Sequence, residues 1–313
     1  MNLKHIESFL AIVRCGSFRK AAAQLGISQP ALSQHLGHLE AELGGSLIQR
    51  RNNGCRPTQA GLALIPHAES LLRAAARAQA LFKSNALYLG ASSNIGVYLL
   101  QPLLRQYLDR HPTERVELSI GTNPVIADRL SNAELDVALM EWWDDRPGFT
   151  AHLWREEELL LIAPPGHPWC GRSSIDREEL RGCALLGGEP GSGTWRIIQT
   201  ELAAVSASLS LAASLGSTEA VKRAVQAGLG VSIVLASAVE HELRDGRMCA
   251  TRIRDLELKK RLHLAYRETL LENCPARRFV RFLMSSPSSA LRPKHRACER
   301  APDQSLSPIR GEP

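Results

Sequence analysis

The stretch AAAQLGISQPALSQHLGHLE, residues 21–40, contains two helical patterns that meet at a three-residue break, GIS. In the second pattern the leucines recur at intervals of four, three and four, so they share one buried side of a helix. These leucines are Leu32, Leu36, Leu39 and Leu43. The opposite side carries short or amide-bearing residues, which are Gln29, Ser33, Gln34 and Gly37. A polar face of this kind predicts contact with another molecule.

The flanking residues predict that these patterns form a helix-turn-helix. LKHIESFLAIVRC (3–15) has an apolar face and is followed by Gly16, which ends a first helix. Ser17 and Ser28 stand where they cap the second and third helices. Pro30 falls in the first turn of the third helix, where its missing N–H costs nothing.

In a helix-turn-helix, the second helix of the pair enters the DNA major groove and its N-terminal residues reach base edges. Gln29 can pair with adenine through two hydrogen bonds, and Ser33 and Gln34 can bond a base or a phosphate. A face that merely meets water would not explain Gly37 or the absence of Lys and Glu. The pattern therefore predicts a helix that reads DNA.

A small wing follows in IQRRNNGCRPTQAG (48–61). Asn53-Gly54 is a strong hairpin signal, which places Arg50 and Arg51 on one strand and Arg56 on the next. Guanidinium groups there would bind phosphates or enter the minor groove. The predicted DNA-binding residues are Ser17, Ser28, Gln29, Pro30, Ser33, Gln34, Arg50, Arg51 and Arg56.

The charge distribution agrees with a DNA-binding first quarter. Residues 1–85 hold ten Lys/Arg and four Asp/Glu, whereas the other 228 residues hold 28 of each. A basic unit on a neutral body indicates a polyanionic partner for that unit. Solvated surface charge is the alternative interpretation.

Composition excludes several classes of protein. The chain has no apolar run near the roughly 18 residues of a membrane span, and MNLKHIESFL is not a signal peptide, so we expect a cytoplasmic protein. Seven scattered cysteines without a C-x-x-C pair argue against a disulfide framework and a zinc site. We expect reduced thiols, with a redox pair of Cys170 and Cys183 as the alternative, and neither a metal nor a cofactor.

A long helix is predicted from a cap at Thr58 to near Phe82. Its apolar residues follow a seven-residue repeat with small side chains, which favours packing against another helix. Packing against the same chain is one interpretation. Pairing with a second copy is favoured, because paired DNA half-sites require a two-fold dimer.

These residues carry a resemblance to a known family. GSFRKAAAQLGISQPALSQHLGHLEAELGGSLIQR (16–50) with PTQAG (57–61) resembles the N-terminal signature of LysR-type transcriptional regulators. By that resemblance Gln29, Pro30 and Ser33 match DNA-contacting positions, and Arg50 and Arg51 match the wing. The resemblance implies a winged helix-turn-helix, a linker helix and an α/β effector domain of two subdomains, like periplasmic binding proteins.

The remaining chain also predicts an α/β body by its own pattern. Short apolar strands are predicted at 86–92, 116–123, 135–141 and 159–168, and helical segments lie between them. This alternation predicts a parallel sheet that binds a ligand at the carboxyl ends of its strands. Small polar residues beside helix N-termini there favour an anion. The predicted effector-binding residues are Ser92, Ser93, Asn94, Thr122, Asn123, Glu141, Ser192, Thr194, Trp195, Ser217 and Thr218.

Within the family, the body looks most like the branch that controls sulfur assimilation, anion response or carbon fixation. That branch often has an Arg at the position where this chain has Trp195. The absence of this cation argues against a strongly anionic effector, and the Trp195 ring would instead offer an apolar wall for stacking. The effector stays open. The RIIQTELAAV helix follows a glycine-containing loop (189–194) with no Walker lysine, so we predict no nucleotide site.

The predicted domains are the DNA-binding domain 1–60, the linker helix 61–85, the effector-binding domain 86–290 and a disordered tail 291–313. Subdomain 1 takes about 86–161 and 267–290, and subdomain 2 about 162–266. The prediction is a regulator that binds double-stranded DNA and a small-molecule effector, forms homodimers that assemble into homotetramers, contacts RNA polymerase and has no membrane partner. It is not an enzyme, since the histidines are dispersed and no G-x-S-x-G occurs. The alternatives are a nucleoid-type DNA-binding protein and a small-molecule-binding protein or enzyme with a basic head.

Overall fold

The computed structural model describes residues 1–51, 54–83, 85–188, 192–202 and 211–285, without the side chains of 50, 51, 80–83 and 211. The chain divides into two compact units, the first formed by residues 1–86 with 131–135 and the second by 87–130 with the chain from 136 onward. The predicted tail 291–313 and the turn residue Asn53 lie outside the described residues.

The first unit is a winged helix-turn-helix followed by a long helix. Its elements are α1 (Leu3–Cys15), α2 (Phe18–Leu25), α3 (Gln29–Leu43), β1 (Ile48–Arg51), β2 (Gly54–Pro57) and α4 (Gln59–Lys83). The predicted caps are confirmed, because Ser17 accepts a hydrogen bond from the backbone N–H of Lys20 and Ser28 accepts one from Ala31. Gly16 ends α1 with a φ of 61°, a left-handed conformation that favours glycine. The local signals in the sequence therefore set the helix boundaries of this unit.

The leucine stripe of α3 forms the core of the first unit with residues of α1 and α2. Leu32 and Leu39 are fully buried, and the core also takes Ala68 from α4. Leu43 was expected in this stripe, but it is 45% exposed. It is the last residue of α3, next to the left-handed Gly44 that ends the helix, so no further turn covers it. The first half of α4 thus packs on its own chain through Ala68.

The second unit is an α/β body that contains a mixed eight-stranded sheet and a separate two-stranded parallel sheet, the latter formed by the strands at 185–187 and 211–214. Its strands are β3 (Ala86–Ser92), β4 (Arg115–Gly121), β5 (Val137–Met140), β6 (Phe149–Ala163), β7 (Ser174–Ile175), β8 (Leu185–Gly187), β9 (Leu211–Ser214), β10 (Ser232–Leu235), β11 (Cys249–Ile253) and β12 (Lys259–Arg267). Its helices are α5 (Leu100–Arg110), α6 (Asn123–Ser131), α7 (Gly193–Glu201), α8 (Thr218–Gln226), α9 (Glu240–Arg244) and α10 (Pro275–Ser285), with a π-helical turn at Ile95–Leu99 and 3₁₀ turns at Arg177–Leu180 and Ala236–Ala238. The sheet order is β4-β3-β5-β12-β6-β11-β7, with β10 also paired to β6.

Two long strands join the halves of this body and correct the predicted parallel sheet. β12 runs antiparallel to both β5 and β6, whereas β3 and β5 are parallel. β6 begins ten residues before the predicted strand at 159, and the first part of it is mostly half-buried or exposed. A strand with little apolar alternation gives a weak sequence signal. Because β6 pairs with β12 and then with β10 and β11, it belongs to both halves.

Each half of the body has its own hydrophobic core. One core packs α5 and α10 on β3, β5 and β12, with Tyr107 and Phe279 fully buried in it. The other packs Trp169 and Leu202 around the strands β6 and β10. A further cluster packs Val221 and Val225 of α8 against Ile162 of β6 and Val234 of β10.

The cysteine pairing differs from the expected one. Cys170 forms a disulfide with Cys249, which is 79 residues away, while Cys183 is a free thiol. The alternative pair of Cys170 and Cys183 is therefore wrong, as is the expectation that Cys170 and Cys249 are reduced. Cys249 begins β11, so the pairing depends on the strand order of the sheet, which the spacing of cysteines along the chain does not reveal.

Candidate functional site

The exposed face of α3 carries the residues that were predicted to read DNA. Gln29, Pro30 and Gln34 are exposed and Ser33 is half-buried, on the side opposite the buried Leu32. Ser28 fixes the start of the helix by accepting a hydrogen bond from the backbone of Ala31 at 3.3 Å. The structure thus presents the amide side chains in the first turns of α3, at its N-terminal end.

The wing forms as a two-stranded antiparallel hairpin. Arg56 lies opposite Gln49 in the register and is exposed. Arg50 and Arg51 occupy β1, but their side chains lie outside the described residues. Ser17 is half-buried and serves as the cap of α2. The guanidinium of Arg56 is therefore exposed to solvent, where a phosphate of a DNA backbone can reach it.

A second group of predicted residues meets between the two halves of the body. A cavity of about 40 Å³ is lined by Ser93, Asn94, Ser192, Thr194, Ser217 and Thr218, among others. Ser192 caps α7 and Ser217 caps α8, so two helix N-termini point toward this cavity. Free N–H groups and the helix dipole there favour oxygen atoms and negative charge. We call this region the cleft.

The buried carboxylate of Glu141 lies beside the cavity. It pairs with Lys260 at 2.8 Å, and the two side chains are 4% and 1% exposed. It also accepts hydrogen bonds from the Asn94 amide at 2.8 Å and from the Gly193 backbone N–H at 3.1 Å. We call these three donors, Lys260, Asn94 and Gly193, the carboxylate cradle.

Hydrogen bonds extend the cradle into both halves of the body. The Lys260 ammonium donates to the Thr194 hydroxyl at 2.6 Å, and the Thr218 hydroxyl donates to the Asn94 side-chain oxygen at 2.6 Å. Thr218 opens α8 and Thr194 lies in the first turn of α7. A continuous polar chain therefore runs from α8 through Asn94, Glu141 and Lys260 to α7.

The cradle keeps Glu141 ionised. Burial alone would raise the pKa of this carboxyl group. The charge of Lys260 and the hydrogen bonds from Lys260, Asn94 and Gly193 outweigh burial and hold the pKa below its ordinary value. The site accordingly contains a buried ion pair of Glu141 and Lys260.

The other predicted residues take supporting positions. Asn123 accepts a hydrogen bond from the Glu141 backbone N–H at 2.7 Å and donates to the Trp142 carbonyl at 2.9 Å, which fixes the chain that carries Glu141. Ser93 donates to the Gly121 carbonyl, and the Thr122 carbonyl accepts from Ile126. Ser92 is buried at the end of β3, and Trp195 packs against the core that contains Trp169.

Lys260 was not among the predicted residues. It lies on β12 with Leu262 and Leu264 on the same inward face, between the outward-facing Lys259 and Arg261. The alternation of the strand could have indicated a buried lysine, because residues two apart share a face. Only the tertiary structure shows that the carboxylate of Glu141, the residue after β5, meets it. Lys260 therefore provides the cleft with a cation, although this chain has Trp195 at the position where the resembling branch often has Arg.

The structure provides no sign of a metal centre or of a membrane span in the residues it describes. Within the described ranges, no three His, Cys, Asp or Glu side chains are placed to hold a metal ion. Among the helices of the same ranges, none has both the length and the hydrophobicity of a membrane-crossing segment.

Comparison with known families covers most of the chain. Residues 3–62 match the model of the bacterial regulatory helix-turn-helix protein, lysR family, and residues 83–287 match the LysR substrate-binding domain. The putative HTH-type transcriptional regulator protein PtxE of Stutzerimonas stutzeri is 47% identical over 195 residues, which span 62% of this chain and 100% of PtxE. A probable RuBisCO transcriptional regulator of Emiliania huxleyi is 30% identical over 294 residues, 90% of this chain and 94% of that protein.

The fold is also similar to that of a family member whose structure was solved in complex with DNA. Full-length CbnR complexed with its target DNA has a TM-score of 0.69 at 23% sequence identity, and the match covers 91% of this chain and 99% of CbnR. At this level of identity the similarity concerns the architecture. The relative named for RuBisCO regulation agrees with the carbon-fixation side of the resemblance drawn from the sequence.

Proposed function

The chain belongs to the LysR family of DNA-binding transcriptional regulators, and on that premise we propose how its two units divide the work. The first unit reads a two-fold DNA site through the N-terminal turns of α3 and holds it through the wing. The cleft of the second unit binds a small-molecule effector. The exposed amides of Gln29 and Gln34, on the side of α3 opposite the buried leucines, are the observation that supports this proposal most strongly. The buried leucines are Leu32, Leu36 and Leu39.

Base reading is assigned to Gln29, Ser33 and Gln34, and phosphate contact to the wing arginines Arg50, Arg51 and Arg56. Ser17, Ser28 and Pro30 set the helix starts that place these groups. An amide in the first turn of α3 can make two hydrogen bonds to adenine, which contributes about 1–3 kcal/mol of discrimination. Arginines of the wing add affinity that does not depend on sequence.

Effector binding is assigned to the residues around the cavity and the cradle. Ser93, Ser192, Ser217 and Thr218 offer hydroxyl groups at the cavity, and Asn94 belongs to both the cavity and the cradle. Since the cleft is built from both halves of the body, a ligand that prefers one arrangement of the halves shifts the protein toward it. This differential binding is what links the effector to DNA.

The assembly that we propose is a homodimer through the distal half of α4, with dimers forming a tetramer through the bodies. Half-sites on DNA require two heads related by a two-fold axis. Contact with RNA polymerase completes the regulatory role, and access to the chromosome places the protein in the cytoplasm. These partners are inferred from the family and from the need for paired heads.

The direct test is recovery of genomic DNA fragments by the purified full-length protein, with and without a panel of small sulfur, carbon and amino-acid metabolites. We expect a few sites with two-fold symmetry upstream of genes, and a shift in their occupancy with one metabolite. Diffuse binding at moderate salt would instead support a nucleoid-type protein.

The base-reading assignment is tested by Gln29→Ala on the recovered site and on random DNA. Loss of about 1–3 kcal/mol of binding free energy on the site, with little change on random DNA, is expected because only the site presents the matching base. Gln59→Ala, which removes an exposed amide at the start of α4, is the matched control. Equal losses on both DNAs for Gln29→Ala would show that this residue does not read bases.

A further inference from the structure

The carboxylate of Glu141 occupies a set of donors that suits an external anion equally well. A buried ammonium, a side-chain amide and a backbone N–H at the start of α7 converge on its two oxygens at 2.8, 2.8 and 3.1 Å. Helix N-termini and lysines are common binding groups for carboxylates and oxyanions. The cleft therefore contains a complete anion site that a residue of the chain itself fills.

The packing at Gly193 shows how closely the carboxylate approaches α7. A Cβ built on Gly193 would stand 3.0 Å from a Glu141 carboxylate oxygen, 3.2 Å from the Glu141 Cβ and 3.4 Å from the Lys260 Cε. A larger residue there would require the Glu141 side chain to shift by a few tenths of an ångström. The glycine at the first position of α7 thus gives the Glu141 carboxylate close access to the helix N-terminus.

The charges in the cleft limit which ligand can enter. Glu141 neutralises Lys260, and both side chains are almost fully buried. An anion that entered beside an unmoved Glu141 would place two negative charges in contact in a poorly solvated region, which is strongly unfavourable. The adjacent cavity of about 40 Å³ holds about three water molecules, enough for the head of a small ligand.

We propose that Glu141 is an internal anion of the cleft, and that a small carboxylate or inorganic oxyanion binds by exchanging with it on Lys260, Asn94 and Gly193. This inference rests on the proposed effector role of the cleft. Exchange breaks the direct link between the end of β5 and the start of α7, so the two halves lose a contact when the external anion enters. The internal carboxylate acts as an autoinhibitory ligand that sets a threshold for the effector.

The experiment compares full-length wild-type protein with Glu141→Gln in thermal unfolding, titrated with sodium sulfate, sodium formate or sodium chloride at matched ionic strength. The glutamine keeps the size of the side chain but removes the negative charge, leaving Lys260 and the start of α7 uncompensated. We expect Glu141→Gln to be stabilised at concentrations of sulfate or formate at least tenfold lower than wild type, with no such difference in chloride. Sulfate alone would indicate an inorganic oxyanion site, and formate alone a carboxylate site.

Glu141→Gln/Lys260→Met serves as the control for the location of the binding. The double variant should lose the extra response to the anions, because its cradle no longer contains a cation. Equal anion responses of wild type and Glu141→Gln, or a gain that persists in the double variant, would overturn the proposal.

Chemical rescue provides a second, independent measurement. Glu141→Ala leaves space for an external carboxylate, so formate supplied during purification should restore its melting temperature toward that of wild type, whereas neutral formamide should not. Absence of rescue by formate and by sulfate supplied in the same way, including failure of the variant to fold in the presence of either, would mean that no external anion replaces the Glu141 carboxylate. Since no step uses DNA or a metabolite, these results are independent of the operator selection that tests the proposed function.

Discussion

The recognition face of α3 and the cleft of the body are built in opposite ways. Gln29 and Gln34 are exposed on a helix whose packing lies entirely on its other side. In the cleft, Glu141 and Lys260 are buried and already bonded to each other. In the proposed roles, the face of α3 would bind DNA without rearranging, whereas an anion in the cleft would replace contacts that the protein makes with itself. A mutation should therefore affect mainly binding at α3 and mainly stability in the cleft.

The largest expected effect is at Lys260. Lys260→Met leaves the carboxylate of Glu141 buried without its cation, which should lower the free energy of unfolding of the body by about 3–5 kcal/mol. Urea denaturation of the full-length protein measures this loss. Glu141→Gln/Lys260→Met should recover much of it, because no unpaired charge remains. A single variant as stable as wild type would contradict the close pairing in the cleft.

A loss of similar or smaller size is expected from the core beneath the recognition face. Leu32→Ala removes a fully buried side chain and should cost about 2–5 kcal/mol, through lost burial and the cavity left behind. Leu43→Ala, at a 45% exposed position of the same helix, is the matched control and should change stability by less than about 0.5 kcal/mol. Denaturation followed by a probe on the first unit distinguishes them. Comparable losses would mean that Leu43 is covered in the protein, for example by a second copy.

Binding without a change of stability is expected at the wing. Arg56→Ala should weaken binding to site and random DNA alike and reduce the slope of log affinity against log salt by about 1, because one phosphate contact is lost. Arg56→Lys keeps the charge and should keep most of the slope. The measurement is a salt titration of binding for all three proteins. A loss confined to the specific site would indicate that Arg56 contacts a base.

The smallest effect concerns a group of histidines at the junction of α1 and α3. The His5 ring lies 5.0 Å from that of His35 and 5.4 Å from that of His38. Burial, followed by the neighbouring His35 and His38, lowers the pKa of His5 from its ordinary value of 6.5, while Glu42 opposes this and the N-terminal amine adds to it. Near and below pH 6.5 the folded form then binds fewer protons than the unfolded form. The contribution of His5 to the free energy of unfolding is therefore complete above pH 6.5 and is lost as the pH falls below this value.

Melting temperatures of wild type and His5→Gln between pH 7.5 and 5.5 test this dependence. Wild type should lose more stability than the variant over that interval, because the glutamine does not titrate. Identical pH profiles would show that burial and the neighbouring histidines do not lower the pKa of His5. DNA is best left out of this measurement, since protonated histidines near a polyanion would be stabilised and would mask the effect.

The sequence predicted the first unit well because its signals are local. Caps at Ser17, Ser28 and Thr58, the glycine after α1 and the leucine spacing of α3 each act within a few residues, and the structure confirms them. The error at Leu43 arose at a helix end, where the periodic pattern continues but the covering neighbours do not. The predicted DNA contacts remain predictions, because they depend on a partner.

The body was predicted only in outline. Alternating strands and helices indicated an α/β fold with polar strand ends, and several of these residues do meet, such as Asn94 with Thr218 and with Glu141. The sequence did not reveal the length of β6, the antiparallel course of β12 or the partner of Cys170. Each of these depends on which strands lie side by side, and strand pairing links residues that are far apart in the chain.

What the sequence determined by itself is therefore the helix-turn-helix, its capped helices and the chemistry on the face of α3, because helical periodicity and capping are properties of neighbouring residues. Tertiary structure alone decided the environment of Glu141. The carboxylate follows β5, its cation lies 119 residues further on, and a glycine N–H 52 residues away completes the cradle. Glu141 and Lys260 form one buried ion pair, because a charge removed from water is strongly unfavourable unless an opposite charge lies beside it.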